Sequence, residues 1–219
     1  MLRVWFVLLF VALTTETQAS THNPASVFRG DTIIFDDKQA SEEQGTAVEV
    51  ILAQLKEGLN QEQVQQRRIS LKRTIAQSHC PRPQHYKSKG KGEEEVLVQQ
   101  VDISTCNKLL RLRTVDGRVL ATVGASMSMH KMVEALLPLG YIPAIVPEFK
   151  GITVGGSIQG LAAESTSFRY GLYHDAVPGF EAITADGSVL WCSKDSNSDL
   201  FYGLPGSFGS LAICTQAGI

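Results

Sequence analysis

Glycine is concentrated in one part of this 219-residue chain: six of its 19 glycines lie between Gly151 and Gly179. The densest run is Thr153-Val154-Gly155-Gly156-Ser157-Ile158-Gln159-Gly160. Glycine at such spacing either lets the backbone take a positive φ or lets it come close to another group. Backbone N–H groups exposed in this way can bind phosphate oxygens without a charged side chain, and Ser157 and Ser165 add neutral donors. A tight structural loop would have the same composition, so the residues alone leave both readings open.

Rival motifs are excluded directly. No GxGxxG follows a strand-like run and no GxxxxGK[ST] occurs, so neither a Rossmann site nor a P-loop is supported. Gly151/Gly155 and Gly156/Gly160 have the spacing of a membrane helix contact, but the apolar stretch is too short to span. The chain is 43% hydrophobic and 19% charged with a net charge of −2, which is globular rather than disordered. That balance gives no electrostatic case for a nucleic-acid partner. Cys80, Cys106, Cys192 and Cys214 lie at least 22 residues apart, and the five histidines lack ligand spacing, so no metal site is expected. Cys192 and Cys214 sit in apolar, strand-like runs and read as buried free thiols.

At the N-terminus Arg3 precedes the apolar run Val4–Leu13, which ends at Thr17-x-Ala19. Residues 1–19 read as a secretory signal peptide or a short uncleaved anchor, too short to cross a bilayer. The expected location is the secretory pathway or the endoplasmic reticulum membrane surface. Residues 20–45 read as a polar tether. Eight Lys or Arg and no acid occur between Arg67 and Lys91, either a solvated face or a contact for anionic lipid or a cofactor phosphate.

Thr46-x-x-Glu49 forms a capping box before a helix carrying Val48, Ile51, Leu52, Leu55 and Leu59, which Gly58 closes. Strands are expected at Ile69–Ile75, Val96–Val101, Leu109–Thr114 and Arg118–Val123, with a loop at Gln77–Gly92. Asp116-Gly117 and Asp186-Gly187 predict two type I′ hairpins, the second joining Phe180–Thr184 to Ser188–Cys192. Ser128 caps a helix with Met132, Val133, Leu136 and Leu137 that ends at Gly140. A short helix at Asn197–Leu204 and a strand at Leu211–Ala217 complete a mixed helix-and-strand chain with antiparallel parts.

The run from Val146 to Ile219 carries an ordered set: Pro147-Glu148, TVGG at 153–156, Gly160, Glu164-Ser165-x-Ser167, Tyr170-Gly171, the Ala185-Asp186-Gly187 hairpin, Asn197–Tyr202, and Gly206-Ser207-Phe208-Gly209. This set resembles the FAD-binding domain of the vanillyl-alcohol oxidase (PCMH) type, and within it the sterol-reductase branch. The likeness extends more weakly through Ile69–Arg73 and Val101–Val146. It implies an α+β, two-lobed domain over residues 46–219, with a small lobe at about 46–146, a larger one at about 147–219, and FAD between them.

By motif match the resemblance places Thr153, Val154, Gly155, Gly156, Ser157, Gly160, Glu164, Ser165, Gly171, Ser207, Gly209 and Ile213 against the cofactor. It implies hydride transfer from flavin to a C=C bond with NADPH as electron donor, and a sterol or other small molecule as substrate. The same residues also suit a non-catalytic FAD-binding module, or an FAD-linked oxidase of an alcohol or sugar. Many relatives carry a histidine in a glycine-rich loop after the first strand as a covalent flavin link. Here that loop reads Thr74-Ile-Ala-Gln-Ser-His79-Cys-Pro81 without the glycines, so non-covalent FAD is expected. Family enzymes continue past the position of Ile219 into a substrate-binding cap domain, which is expected to be absent here. No catalytic residue is assigned; Tyr170, His174 and Glu164 lie in the relevant segment.

Overall fold

A computed structural model describes residues 32–59, 67–72, 97–115 and 117–219. The expected signal or anchor, the start of the tether, the Gln77–Gly92 loop with His79, and the basic run beyond Lys72 lie outside the described residues. The chain runs β1 (Thr32–Asp36), α1 (Lys38–Leu59), β2 (Arg67–Lys72), β3 (Leu97–Asp102), β4 (Leu109–Val115), β5 (Arg118–Gly124) and α2 (Met129–Leu136). It continues through α3 (Val154–Gln159), α4 (Ser167–Tyr170), β6 (Gly179–Ile183), β7 (Val189–Ser193), α5 (Ser198–Gly203) and β8 (Ile213–Gly218). The class is α+β.

Much of the expected tether is ordered structure. β1 pairs antiparallel with β4, and α1 starts eight residues before the capping box at Thr46. Asp37 is the cap in fact, its Oδ1 accepting from Ala40 N at 2.8 Å. Thr46 sits mid-helix, its hydroxyl donating to Glu42 O at 3.1 Å. The first two turns bury Ala40 and Gln44, ahead of Ala47, Ile51 and Leu55 on the same face. Two small alanines and a glutamine conceal that face from a hydrophobic pattern search. Gln44 is tolerated inside because its Nε2 donates to Thr215 O at 2.9 Å.

The main sheet has six strands in the order β1-β4-β5-β8-β6-β7, all neighbours antiparallel. A separate parallel pair joins β2 to β3. β5 and β8 hydrogen-bond directly, so this sheet runs across the lobe boundary expected near residue 146. One core lies between the sheet and α2, α3 and α5, around Leu112, Val123, Met132, Ile158, Tyr173 and Phe180. There Phe180 and Phe201 stack with ring centroids 5.7 Å apart. A second core gathers Ala47, Ile51 and Leu55 of α1 with Val101, Ile103, Cys106, Ile183 and Ile213.

Both expected hairpins form. The second is not a type I′ turn, because Asp186 has no positive φ. Gly187 alone is left-handed at φ +84°, in a three-residue loop closed by Thr184 N to Ser188 O at 3.0 Å. The Asp186 carboxylate fixes that form by accepting from the Thr184 hydroxyl and from Ser188 N. These bonds hold its pKa down at about 2. Ser128 caps α2 as expected, accepting from Lys131 N at 3.3 Å, and Gly140 ends the following 3-10 turn at φ +85°.

Candidate functional site

The glycine run is a helix, not an open loop. Thr153 is extended at φ −96° and caps α3 with its hydroxyl, which accepts from Gly156 N at 3.2 Å. The other early N–H groups are also engaged: Val154 N donates to Met127 O, Gly155 N to Ala125 O and Ser157 N to Thr153 O, all at 2.8–2.9 Å. A free backbone N–H cradle at the start of the run is therefore not what these glycines provide. They allow close packing instead: a Cβ on Gly155 would come within 3.0 Å of Ala125 Cβ.

Unmet polar capacity here belongs to hydroxyls. Ser157 Oγ on α3, Ser126 Oγ on the crossing segment and Ser207 Oγ on the 205–210 loop are buried without a hydrogen-bond partner. Buried hydroxyls are seldom left unpaired, so these three, on α3 and on the segments hydrogen-bonded to it, call for a polar partner from outside the chain, an ordered water or a ligand oxygen. Phosphate or ribitol oxygens of a dinucleotide meet that description, and on this ground the residues fit FAD. Ser126 and Ser207 would join Ser157 in holding it.

The remaining expected site residues separate into three groups. Ser207 and Gly209 stay with α3: Phe208 N donates to Gln159 O at 3.3 Å, and a Cβ on Gly209 would lie 3.3 Å from Gln159 Oε1. Gly160 ends α3, its N–H bonded to Gly156 O at 2.9 Å. Glu164 and Ser165 belong to a loop clamp, in which Glu164 accepts from Ser165 Oγ at 2.6 Å and from the Thr166 hydroxyl. Burial raises the Glu164 pKa, but those hydroxyls and the backbone of Thr166 and Val146 outweigh it and leave the carboxyl below its ordinary range. Glu164 is thus an anion at neutral pH, and its stabilising bonds are present above the ordinary carboxylate range and lost as pH falls through the lowered pKa.

Gly171, Val154 and Ile213 have structural duties. Gly171 makes room for Asp175, Val154 is fully buried in the first core, and Ile213 packs in the second core against α1. The three described cysteines are buried and free. Burial raises the pKa of each, Cys106 to about 11, so they remain neutral thiols at physiological pH.

A cavity of about 230 Å³ opens beside α3, lined by Ile158, His174, Asp175, Val177, Phe180, Lys194, Phe201, Tyr202 and Pro205. His174 Nδ1 is buried without a partner, while Nε2 lies 3.5 Å from Asp175 Oδ1. Tyr170 is half-exposed, with the Arg169 guanidinium 5.4 Å from its ring centre. Sequence reasoning missed Ser126 and Gln159, for which no motif signals, and Leu161 and Phe208, whose positions emerge only in three dimensions.

Residues 89–193 match the family model described as FAD binding domain. The match supports FAD as the ligand. Among curated proteins the chain is similar to the delta(24)-sterol reductase of Pisum sativum, 37% identical over 119 residues, 54% of this chain and 21% of that protein. The Rattus norvegicus delta(24)-sterol reductase is 33% identical over 129 residues, 59% of this chain and 23% of the relative. Cytokinin dehydrogenase 3 of Arabidopsis thaliana is 34% identical over 97 residues, 44% of this chain and 18% of that protein. The chain thus spans about a fifth of the length of the curated relatives it matches.

The cap of α3 is directly testable. Thr153→Ala is expected to lower stability by about 1 kcal/mol and Thr153→Ser by much less, read as midpoints of urea unfolding.

Proposed function

We propose that this chain is the FAD-holding part of a flavin-dependent oxidoreductase of the sterol-reductase kind. The observation that carries the reading is that the family match covers α3, which bears one buried, unpartnered hydroxyl at Ser157 and is hydrogen-bonded to the segments that bear two more, Ser126 and Ser207. Ser126, Ser157 and Ser207 would take cofactor oxygens, with the cofactor lying between a small and a larger lobe. When bound, FAD supplies hydride transfer, here to a C=C bond, with NADPH as the source of reducing equivalents. The chain's own part is to bind, orient and shield the cofactor. A sterol or similar apolar small molecule is the proposed substrate class, and non-covalent FAD the proposed state.

A second reading is supported by the likeness to cytokinin dehydrogenase 3: a flavin-linked enzyme of another branch that takes electrons from its substrate instead of delivering them. For location, the apolar N-terminal run supports the secretory route or an endoplasmic reticulum membrane surface. Among the described residues no helix is long and apolar enough to cross a membrane.

Titration of the purified chain with FAD tests the core of the proposal. Binding is expected to raise Tm as ligand exceeds Kd, by about 2.7 kcal/mol of added stability at a hundredfold excess. Acid precipitation is then expected to release all flavin into the supernatant. No thermal shift at saturating FAD would remove the reading, and flavin retained on the precipitated protein would make the attachment covalent. Anaerobic NADPH bleaching of bound flavin separates the reductase from the second branch.

A further inference from the structure

Among the described residues, three non-glycine residues have left-handed backbone: Leu161 at φ +54°, Phe208 at φ +51° and Asn197 at φ +47°. Asn197 is a residue type suited to that region. Leu161 and Phe208 are not, since a bulky apolar side chain there gains no local hydrogen bond in return. The two are also neighbours. Phe208 N donates to Gln159 O at 3.3 Å, a Cβ on Gly160 would meet Phe208 Cε1 at 4.0 Å, and a Cβ on Gly206 would meet Leu161 Cδ1 at 3.3 Å. Each apolar side chain therefore lies over a glycine on the opposite segment.

Burial does not account for Phe208, which is 81% exposed, while Leu161 beside it is 39% exposed. Both are held in disfavoured backbone so as to present apolar surface outward, and next to Phe208 is Ser207, one of the unpartnered hydroxyls. Strained residues with no folding benefit are characteristic of ligand clamps. A flat ring attached to a polar chain is the ligand chemistry that an exposed phenyl face beside an unpaired hydroxyl would recognise.

We propose that Phe208 and Leu161 form an apolar grip for one flat ring system of FAD, Phe208 supplying the stacking face and Leu161 the edge, with Ser207 contacting the adjoining polar chain. This rests on the FAD reading above and adds to it two positioning residues.

The test compares the full chain with Phe208→Gly, Phe208→Tyr and Leu161→Gly, measuring FAD affinity by flavin fluorescence and Tm without FAD. Phe208→Gly is expected to weaken FAD binding about tenfold or more, the order of a lost ring-on-ring contact. Its FAD-free Tm is expected to hold or rise by about 2 °C, because glycine relieves the left-handed strain. Leu161→Gly is expected to move both readouts in the same directions, and Phe208→Tyr to keep wild-type affinity. Parallel titrations with FMN and ADP identify which ring is gripped, by which of the two loses affinity in Phe208→Gly.

Unchanged FAD affinity in Phe208→Gly overturns the grip. So does a drop of several degrees in its FAD-free Tm together with the affinity, which makes Phe208 a structural residue. A variant that alters self-association by sedimentation while binding FAD normally overturns it too, and assigns the surface to contact between copies. Failure of the wild-type chain to bind FAD removes the underlying reading, and the wild-type titration keeps that outcome separate.

Discussion

Gly171→Ala is expected to destabilise the chain by about 3 kcal/mol or more, one of the largest single-residue effects in the molecule. Two independent physical terms combine at this position. The backbone sits at φ +79°, ψ −161°, a region that only glycine occupies without strain. A Cβ there would also overlap Asp175 Oδ2 and lie 2.8 Å from Asp175 Cβ. Asp175 cannot simply swing away, because Oδ2 accepts from Leu172 N at 2.7 Å and closes the turn after Gly171. The next residues include Tyr173, whose ring is fully buried and whose N donates to Ala162 O at 2.8 Å, tying this turn to the segment that leaves α3. The measurement is the urea midpoint of Gly171→Ala beside Asp175→Ala. The double variant should recover part of the overlap but none of the backbone strain. Equal stability of Gly171→Ala and wild type would show that the turn relaxes freely.

That position also shows how far the sequence could be read. The Tyr170-Gly171 pair was legible as a motif, and its motif role was cofactor contact, whereas its geometry makes the glycine a seat for a carboxylate four residues later. The same holds at Gly155. Glycine density correctly marked a place where backbone approaches closely, yet the approaching group is Ala125 of the chain itself, and capping by Thr153 and neighbouring carbonyls engages the N–H groups. Local signals with a mechanism in adjacent residues transferred well: Ser128 capping α2, the Gly140 stop and both hairpin positions.

Signals that depend on distant partners did not transfer. Helix α1 was recognised only from Thr46 onward, because Gln44 looks like a surface residue until Thr215 O, 171 positions away, is seen to accept its hydrogen bond. Ser126 is an ordinary serine in sequence and becomes a candidate ligand contact only when burial and the lack of a partner are known. The strand order β1-β4-β5-β8-β6-β7, which carries one sheet across the boundary expected near residue 146, is likewise set by pairings between β5 and β8 that no local pattern encodes.

Gly124→Ala is expected to be at least as damaging, about 3 kcal/mol or more, and to abolish FAD binding along with stability. Gly124 ends β5 where the 106–107 turn crosses it, and a Cβ there would overlap the carbonyl group of Cys106 and come within 2.8 Å of Asn107 N. Those are backbone atoms, so no rotamer change relieves the clash. Separating the segments would break Gly124 N to Lys108 O at 2.9 Å and Ser126 N to Cys106 O at 2.7 Å. The damage would then spread into the site. Ala125 O and Met127 O, which flank Ser126, receive Gly155 N and Val154 N, so the same three residues that cross the turn also seat the first turn of α3. Displacing them moves Ser126 and Ser157 together. The check is a paired measurement of urea midpoint and FAD affinity on Gly124→Ala and on Val123→Ala. The valine variant opens a cavity in the first core with a loss of comparable size but leaves the crossing intact. At temperatures where both variants are folded, Val123→Ala should retain FAD affinity and Gly124→Ala should not; equal affinities would separate the crossing from the cofactor site.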